Sequence, residues 1–545
     1  MYERMKFTGA VFLIICMGFA NAFCANGDIF AEQRGGWLKK AESLTPKLSY
    51  KIVRPKFVVQ AHKDPSAFQG IKYVKNGQKV GDIYRSDFRK IKTITLDFGD
   101  HYTGYFTFKT KLFNAPLDAP VRVKFFFGEL PAELNTPLDP WKCSLSRAWM
   151  QDEIITLTEM GKPYTIPRRV SFRYLKIELL GYSKYFDFAI DDMFITAQTS
   201  ANNVPEKLPV NASKDIADIY KVALKTLAEC MQTVYEDGPK RDQRLWLGDL
   251  YLESLANAKT FKNFNLTKRC LYLFAGLSGK NGFVYPNCFE KPFPHSQRSN
   301  CISYSLLFNS TLLEYLKDTK DYETAQDLWP VAKRQIELAL EYVDKNSMHD
   351  GKKKGWRFFD WRDGFDPTAC MQAATIFALS QTRQLAQMLG KSSENWEEIQ
   401  EDMQAASFEK LFDKNRNVFV CPSGQVSVLT QAWFALANVG TRQQQKTAIK
   451  NALADPKSVK LGTPYATHYL IEAMLACGMK DEAREYLLNY WGSMVKKGAD
   501  TFWEAYDPNN DYISPYGFYP SNSACHAWSC TPAYFIQKYP EVFIK

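Results

Sequence analysis

Near residue 200 the spacing of apolar residues changes from every second position to every third or fourth, and that switch divides the chain into two kinds of structure. Before it, Ile94, Leu96 and Phe98 alternate with Thr93, Thr95 and Asp97. Val121, Val123, Phe125 and Phe127 alternate with Arg122, Lys124 and Phe126, and Leu175, Ile177 and Leu179 with Lys176 and Glu178. Period two, broken by turn-rich stretches such as "DFGDHYTG" and "NAPLDAP", predicts a β-sandwich over residues 26–200. After a linker at 201–213 ending in the helix cap Ser213, Ile216, Ile219, Ala223, Leu227, Met231 and Val234 recur at helical spacing. Further helical stretches are expected near 249–260, 302–316, 321–345, 369–389, 394–412, 427–438, 442–453, 465–477, 480–495 and 523–537. About a dozen helices without a fixed-length repeat predict an (α/α)6 toroid of six hairpins over 214–545.

At one mouth of such a toroid the loops converge, so its polar-aromatic loops are where chemistry is expected. They include "DGPKRDQRLWLGD" at 237–249, "WRFFDWRDGFD" at 356–366, "TFWEAYDP" at 501–508 and "SACHAWSCTP" at 523–532. Asp237, Arg241, Asp242, Gln243, Trp246, Asp249, Asp360, Trp361, Trp503, Glu504 and His526 are the candidate site residues they supply. Each has a structural alternative: Asp237 and Asp249 could cap a turn and a helix, and Glu504 could pair with a nearby arginine. The basic run Lys352-Lys353-Lys354 reads as a solvated turn or as the rim of an acidic-sugar pocket.

These segments resemble the bacterial α-L-rhamnosidases of glycoside hydrolase family 78 and their six-hairpin relatives. Asp237-Gly238-Pro239-Lys240-Arg241-Asp242-Gln243-Arg244…Gly248-Asp249 is similar to the family's first motif. Thr501-Phe502-Trp503-Glu504 and Ser523-Ala524-Cys525-His526-Ala527-Trp528 are similar to the next two, in the same order, across roughly 205–540. The resemblance implies an exo-acting inverting glycosidase for a terminal α-L-rhamnosyl or similar sugar, with Glu504 as the base that activates water and Asp237 and Asp249 on sugar hydroxyls. It also places Gln243 where the family has its general-acid glutamate. An amide has no titratable proton near neutrality, so a hydrolase needs another acid, and Asp242 is the expected substitute. The segment is one residue shorter between Arg244 and Asp249, which shifts Trp246, and no counterpart of the family's carboxy-terminal β-domain is expected.

Two other readings stay open. Gln243 with Arg241, Arg244 and His526 or Tyr465 offers the groups for β-elimination at a rhamnosyl-uronate linkage, and a decayed site would leave a non-catalytic sugar-binding protein.

A net charge of +10, or +9 without the first 22 residues, allows an acidic glycan partner. No basic stripe with interleaved aromatics points to nucleic acid. The six histidines lack metal-ligand spacing, and no phosphate-cradling loop occurs, so no metal or cofactor is expected. Residues 1–22, with Arg4 and Lys6 before an apolar run and Ala20-Asn21-Ala22, read as a secretory signal too short to span a bilayer. That predicts a secreted, periplasmic protein, with Cys24 leaving a lipid anchor open. The ten later cysteines include no CxxC pair and are expected as buried free thiols.

Overall fold

The computed structural model describes residues 27–351, 355–393 and 395–544, so the expected signal segment, Cys24 and Lys352–Lys354 lie outside the described residues. Nine strands build the amino-terminal body: β1 (Ser49–Val53), β2 (Phe57–Lys63), β3 (Ile71–Lys75), β4 (Thr93–Leu112), β5 (Val121–Gly128), β6 (Asp152–Leu157), β7 (Tyr164–Thr165), β8 (Val170–Gly181) and β9 (Phe188–Thr199). Strand β4 makes a sandwich of them by changing partners halfway. Its first part pairs with β2 and β8 and its second with β7 and β9, so β3-β2-β4-β8-β5-β6 and β7-β4-β9-β1 are hydrogen-bonded through one shared strand. Leu96, Phe98, Phe106, Phe108, Phe125, Phe127 and Phe172 from both ladders close on one core. That burial is what their alternation requires.

The changeover falls at Gly104, which pairs with Val170 of β8 and Ala197 of β9. A Cβ there would sit 2.0 Å from the Thr196 carbonyl oxygen, so only glycine lets the strands approach this closely. Phe126 departs from the alternation because the outward face of β5 is also covered. It packs with Leu134, Leu138, Met150 and Tyr174, against which Phe518 of the helical body rests.

The interval expected for the sandwich opens with a helix, Ala31–Ser43, which packs on the helical body. Trp37 is buried there and donates to Asp327, and Arg34 donates to the Gly276 and Gly279 carbonyls. Its Gly35-Gly36 pair and blurred apolar spacing hide it from a periodicity reading.

In the helical body, Leu247–Lys259, Ile302–Thr319, Thr368–Leu389, Val428–Leu436, Pro464–Ala476 and the short pieces at 527–538 contact one another in succession and close a ring. Around them lie Lys214–Cys230, Phe264–Gly276, Tyr322–Leu340, Trp396–Leu411, Arg442–Ala454 and Lys480–Lys496. Ser213 caps the first of these, accepting from the Ile216 amide. Helix Phe264–Gly276 escapes the periodicity reading because "CLYLFAG" is apolar at nearly every position, and all of those residues are buried. The helix expected at 523–537 shrinks to a 3-10 turn, Ala527–Cys530, and Pro532–Lys538, because Ser523–His526 run extended beside Phe502–Glu504. Inner-to-outer connections are mostly short, whereas outer-to-inner ones run through 231–246, 277–301, 341–367 and 497–526. The long loops therefore gather at the amino-terminal ends of the inner helices. Among the described residues no helix is long and apolar enough to cross a membrane. The ten cysteines among the described residues are free, Cys143 and Cys477 half-buried and the others buried.

Gly104→Ala should cost about 1–3 kcal/mol, the range for overpacking a filled site, and urea unfolding with unchanged m would show it.

Candidate active site

The long loops surround a narrow cavity. Asp237, Arg241, Asp242, Trp246, Asp249, Trp361, Glu504 and His526 line it, together with Tyr304, Trp356, Phe358, Tyr516 and Trp528. Asp249 reaches it from the first turn of an inner helix, where the helix dipole favours a carboxylate, and Trp246 occupies the cap position. Gly248 between them is obligatory, because a Cβ there would lie 2.3 Å from the Tyr304 ring that covers this turn.

Segment 237–244 folds around the Asp237 carboxylate. Its two oxygens accept from the Asp242 and Arg244 amides at 3.1 Å, and its own amide donates to the Arg244 carbonyl at 3.0 Å. Burial, with the nearby charges of Asp242 and Asp249, pushes Asp237 up to about 8 against the opposing pull of His526. Gln243 takes a left-handed φ of 60° and turns its amide back onto the Pro239 carbonyl at 2.8 Å. It does not face the cavity. Asp242, next to it, does.

Glu504 is fully buried. Its carboxylate accepts from Arg241, from the Tyr516 hydroxyl and, at 3.1 Å, from the Ser523 amide. Burial opposes the charge, but Arg241, His526 and the Tyr516 hydroxyl outweigh it and hold the carboxyl below its ordinary range. The same guanidinium stacks 4.3 Å over the Tyr516 ring, donates to the Ser521 carbonyl at 2.7 Å and lies 3.8 Å from Asp242. One cation therefore stands between the two acidic side chains. His526 Nε2 is 3.2 Å from Asp249 Oδ1; burial pulls its pKa down, but Asp249 and Glu504 raise it overall.

Three expected residues lie elsewhere. Gln243 is bonded within its own loop, as above. Asp360 accepts from the Gly462 amide at 2.8 Å and the Thr463 hydroxyl at 2.7 Å, which fastens loop 356–366 to the cap of an inner helix. Trp503 stacks on Phe68 of the sandwich at 4.2 Å, because neighbours in an extended segment point to opposite sides and Glu504 takes the cavity side. Tyr465 is buried and bonded to Tyr469.

Sequence reasoning missed Tyr516, Tyr304 and a buried cluster from the sandwich. Lys240, adjacent to Arg241, sits 3.0 Å from both Glu129 and Glu133 and donates to the Asn522 carbonyl. Glu129 also accepts from the Ala524 amide at 2.6 Å, so it ties loop 237–244 to the loop carrying Ser523 and His526. Glu253, one helical turn below Asp249, is buried with both carboxyl oxygens unpartnered among the described residues, and burial raises its pKa strongly. Only the aromatic density of "DYISPYGFYPSN" hinted at Tyr516; no local pattern marks Glu129 or Glu133. Among the described residues no cluster of His, Cys, Asp and Glu could hold a metal ion.

The model of the glycosyl hydrolase family 78 α-rhamnosidase N-terminal domain matches residues 55–197, and that of the bacterial α-L-rhamnosidase six-hairpin glycosidase domain matches 210–539. A rhamnosidase from Klebsiella oxytoca, solved with rhamnose bound, is 37% identical over 93% of this chain and 99% of its own, with a TM-score of 0.89. The fold is shared with a family 78 rhamnosidase of Bacillus sp. GL1, at 20% identity and a TM-score of 0.68 over 82% of this chain and 46% of that one. An α-L-rhamnosidase of Streptomyces avermitilis complexed with L-rhamnose shares it too, at 16% identity and 0.63 over 90% and 44%. Nothing among curated proteins matches.

Lys240→Met would leave Glu129 and Glu133 buried without their cation. The expected loss is about 3–5 kcal/mol, the cost of breaking a buried ion pair from one side, measured by denaturant unfolding.

Proposed function

The chain belongs to glycoside hydrolase family 78 and is an α-L-rhamnosidase-like glycoside hydrolase; from that premise we propose that it removes a terminal α-L-rhamnosyl or similar sugar from plant-type glycans, acting from the chain end with inversion. The observation that carries this reading is the single Arg241 guanidinium set between Glu504 and Asp242 on one cavity, with Gln243 turned away. Glu504, held ionised, takes a proton from a water whose oxygen attacks the anomeric carbon. Asp242 gives its proton to the glycosidic oxygen as the C–O bond breaks. Inversion needs the two carboxyl groups roughly 6.5–9.5 Å apart so that water fits between them, and an intervening guanidinium suits that separation.

The cavity is narrow and walled by side chains from several loops, which supports one terminal sugar rather than a bound chain. Asp249, His526 and Arg241 offer hydrogen bonds to hydroxyls. The rings of Trp246, Tyr304, Phe358, Trp361 and Trp528 offer an apolar wall suited to the methyl group of a 6-deoxy sugar. Elimination would draw on the Gln243 amide, which is committed to Pro239, and this favours hydrolysis. The basic-apolar-small start of the sequence supports an exported, periplasmic enzyme.

Product analysis on rhamnose-capped oligosaccharides tests the reaction: free rhamnose with a saturated partner is expected, and an unsaturated uronate would overturn hydrolysis. Glu504→Gln and Asp242→Asn should each lower kcat by roughly 10²–10⁴-fold, the usual share of a general base or acid. The Glu504 variant needs comparison at a temperature where it remains folded, since it leaves Arg241 buried without its anion.

The Asp237 carboxyl accepts from the Asp242 amide, so its charge state is felt beside the proposed acid. With Asp237 pushed up to about 8, its carboxyl keeps a proton at neutrality and loses it as pH rises. Plots of kcat/KM against pH should therefore fall on the alkaline side near 8, and on the acid side should hold to lower pH than an ordinary glutamate allows, since Glu504 is held under its ordinary value. Asp237→Asn should displace the alkaline limb and leave the acid limb in place.

A further inference from the structure

Several thiols of the helical body face a hydroxyl or an amide: Cys288 meets Ser296, Cys301 meets Ser303, Cys370 meets Thr430 and Cys477 meets Gln445. Cys230 and Cys525 instead meet each other, sulfur to sulfur at 3.9 Å, although 295 positions separate them in sequence. Both are fully buried, and with Ala527 they form a small apolar cluster of their own. Their backbones are tied down. Cys230 ends the first outer helix, Lys214–Cys230, and its carbonyl accepts from the Glu236 amide at 2.9 Å. The Cys525 carbonyl accepts from the Ser523 hydroxyl at 2.8 Å, and the next residue, His526, donates its amide to the Phe502 carbonyl at 2.9 Å. A disulfide holds its sulfurs about 2 Å apart, so each sulfur here has roughly 1 Å to travel, within the reach of side-chain rotation.

We propose that Cys230 and Cys525 are a disulfide site, joined when the chain folds in the presence of a disulfide oxidant, as an exported protein does. Each thiol gives up its proton and the two sulfurs form one S–S bond. The two electrons they lose reduce the oxidant's own disulfide to two thiols, by way of a mixed disulfide. The bond forms during folding. In the finished structure both sulfurs are shut away from solvent, and burial together with the neighbouring Cys525 pushes the Cys230 thiol well above its ordinary range, so little thiolate is present to start exchange. The consequence falls on the cavity. Segment 523–526 brings the Ser523 amide to Glu504, the Ala524 amide to Glu129 and His526 to Asp249. A covalent tie from Cys525 to the end of the first outer helix holds that segment in place independently of the ion pairs around it, and it closes a long loop that the unfolded chain would otherwise leave open.

Refolding and export test the bond. The denatured, reduced chain is refolded with reduced and oxidised glutathione, and a second sample is purified from an oxidising bacterial periplasm. Both are denatured without reductant, alkylated and digested for mass spectrometry. A linked peptide pair carrying Cys230 and Cys525 is expected, with the other eight described cysteines alkylated, and the pair should vanish in Cys230→Ser. In urea the oxidised chain should show an unfolding constant roughly 30- to 1000-fold below that of the reduced chain, the usual range for a disulfide, and Cys230→Ser should show no such difference. Peptide mapping of the wild type needs no variant, so it decides the matter even if the substitution impairs folding. A link between these two cysteines in either sample upholds the site. Both cysteines alkylated in both samples, or Cys525 linked to another cysteine, would overturn it. None of these results bears on the glycosidase reading, which release of p-nitrophenol from an aryl α-L-rhamnoside reads separately.

Discussion

The architecture of the site depends on a buried ion pair, Arg241 with Glu504. Two charges taken out of water cost more than their mutual attraction returns unless their remaining hydrogen-bonding capacity is filled. Here it is filled on both sides: Glu504 by the Tyr516 hydroxyl and the Ser523 amide, Arg241 by the Ser521 carbonyl and the Tyr516 ring. Those partners come from one long loop, 497–526, and Arg241 comes from another. The pair can exist only when the loops are docked. An ionised carboxylate that is also held still is what a water-activating base requires, so the constraint that fixes the loops also prepares the proposed chemistry.

A second layer of charge keeps the first in place. Lys240 is drawn into the sandwich by Glu129 and Glu133, and Glu129 holds the Ala524 amide as well. His101 and Glu229 stand behind them, His101 Nε2 at 3.2 Å from Glu129. Outward from the cavity come the Glu504 carboxylate with the Arg241 guanidinium, then the Lys240 ammonium with the Glu129 and Glu133 carboxylates, so each cation has its own acidic partner. Low dielectric strengthens every link and makes an isolated member expensive, so the network is fully assembled or strongly disfavoured.

The change from period two to helical period, the Ser213 cap and most inner helices are legible in the sequence because they reflect local rules of burial. The segments that meet at the cavity are legible too, since clusters of Asp, Arg, Trp and His between helices have little structural reason to recur. Which side chain within a segment faces the cavity is harder. Gln243 is excluded by one left-handed residue, a backbone choice that residue type does not announce. Trp503 was excluded by strand-like alternation, which the pattern Phe502-Trp503-Glu504 does contain but which a motif reading overrides. Tyr516, Glu129 and Glu133 are illegible for a different reason: their importance comes from contacts across hundreds of residues, and nothing near them in sequence records the partner.

The placement of Glu129 and Glu133 bears on how such proteins can be taken apart or recombined. The matched family regions divide the chain between residues 197 and 210, and a cut there looks clean in sequence. Physically it severs Lys240 from both of its counter-charges, Trp503 from the Phe68 ring it lies on, and Arg244 from Trp149. The helical ring carries every proposed reacting group, yet its working geometry is completed by residues encoded before it. A sandwich exchanged between two such chains would have to bring its own acidic pair at the same depth, so the two halves are free to diverge only as a matched set.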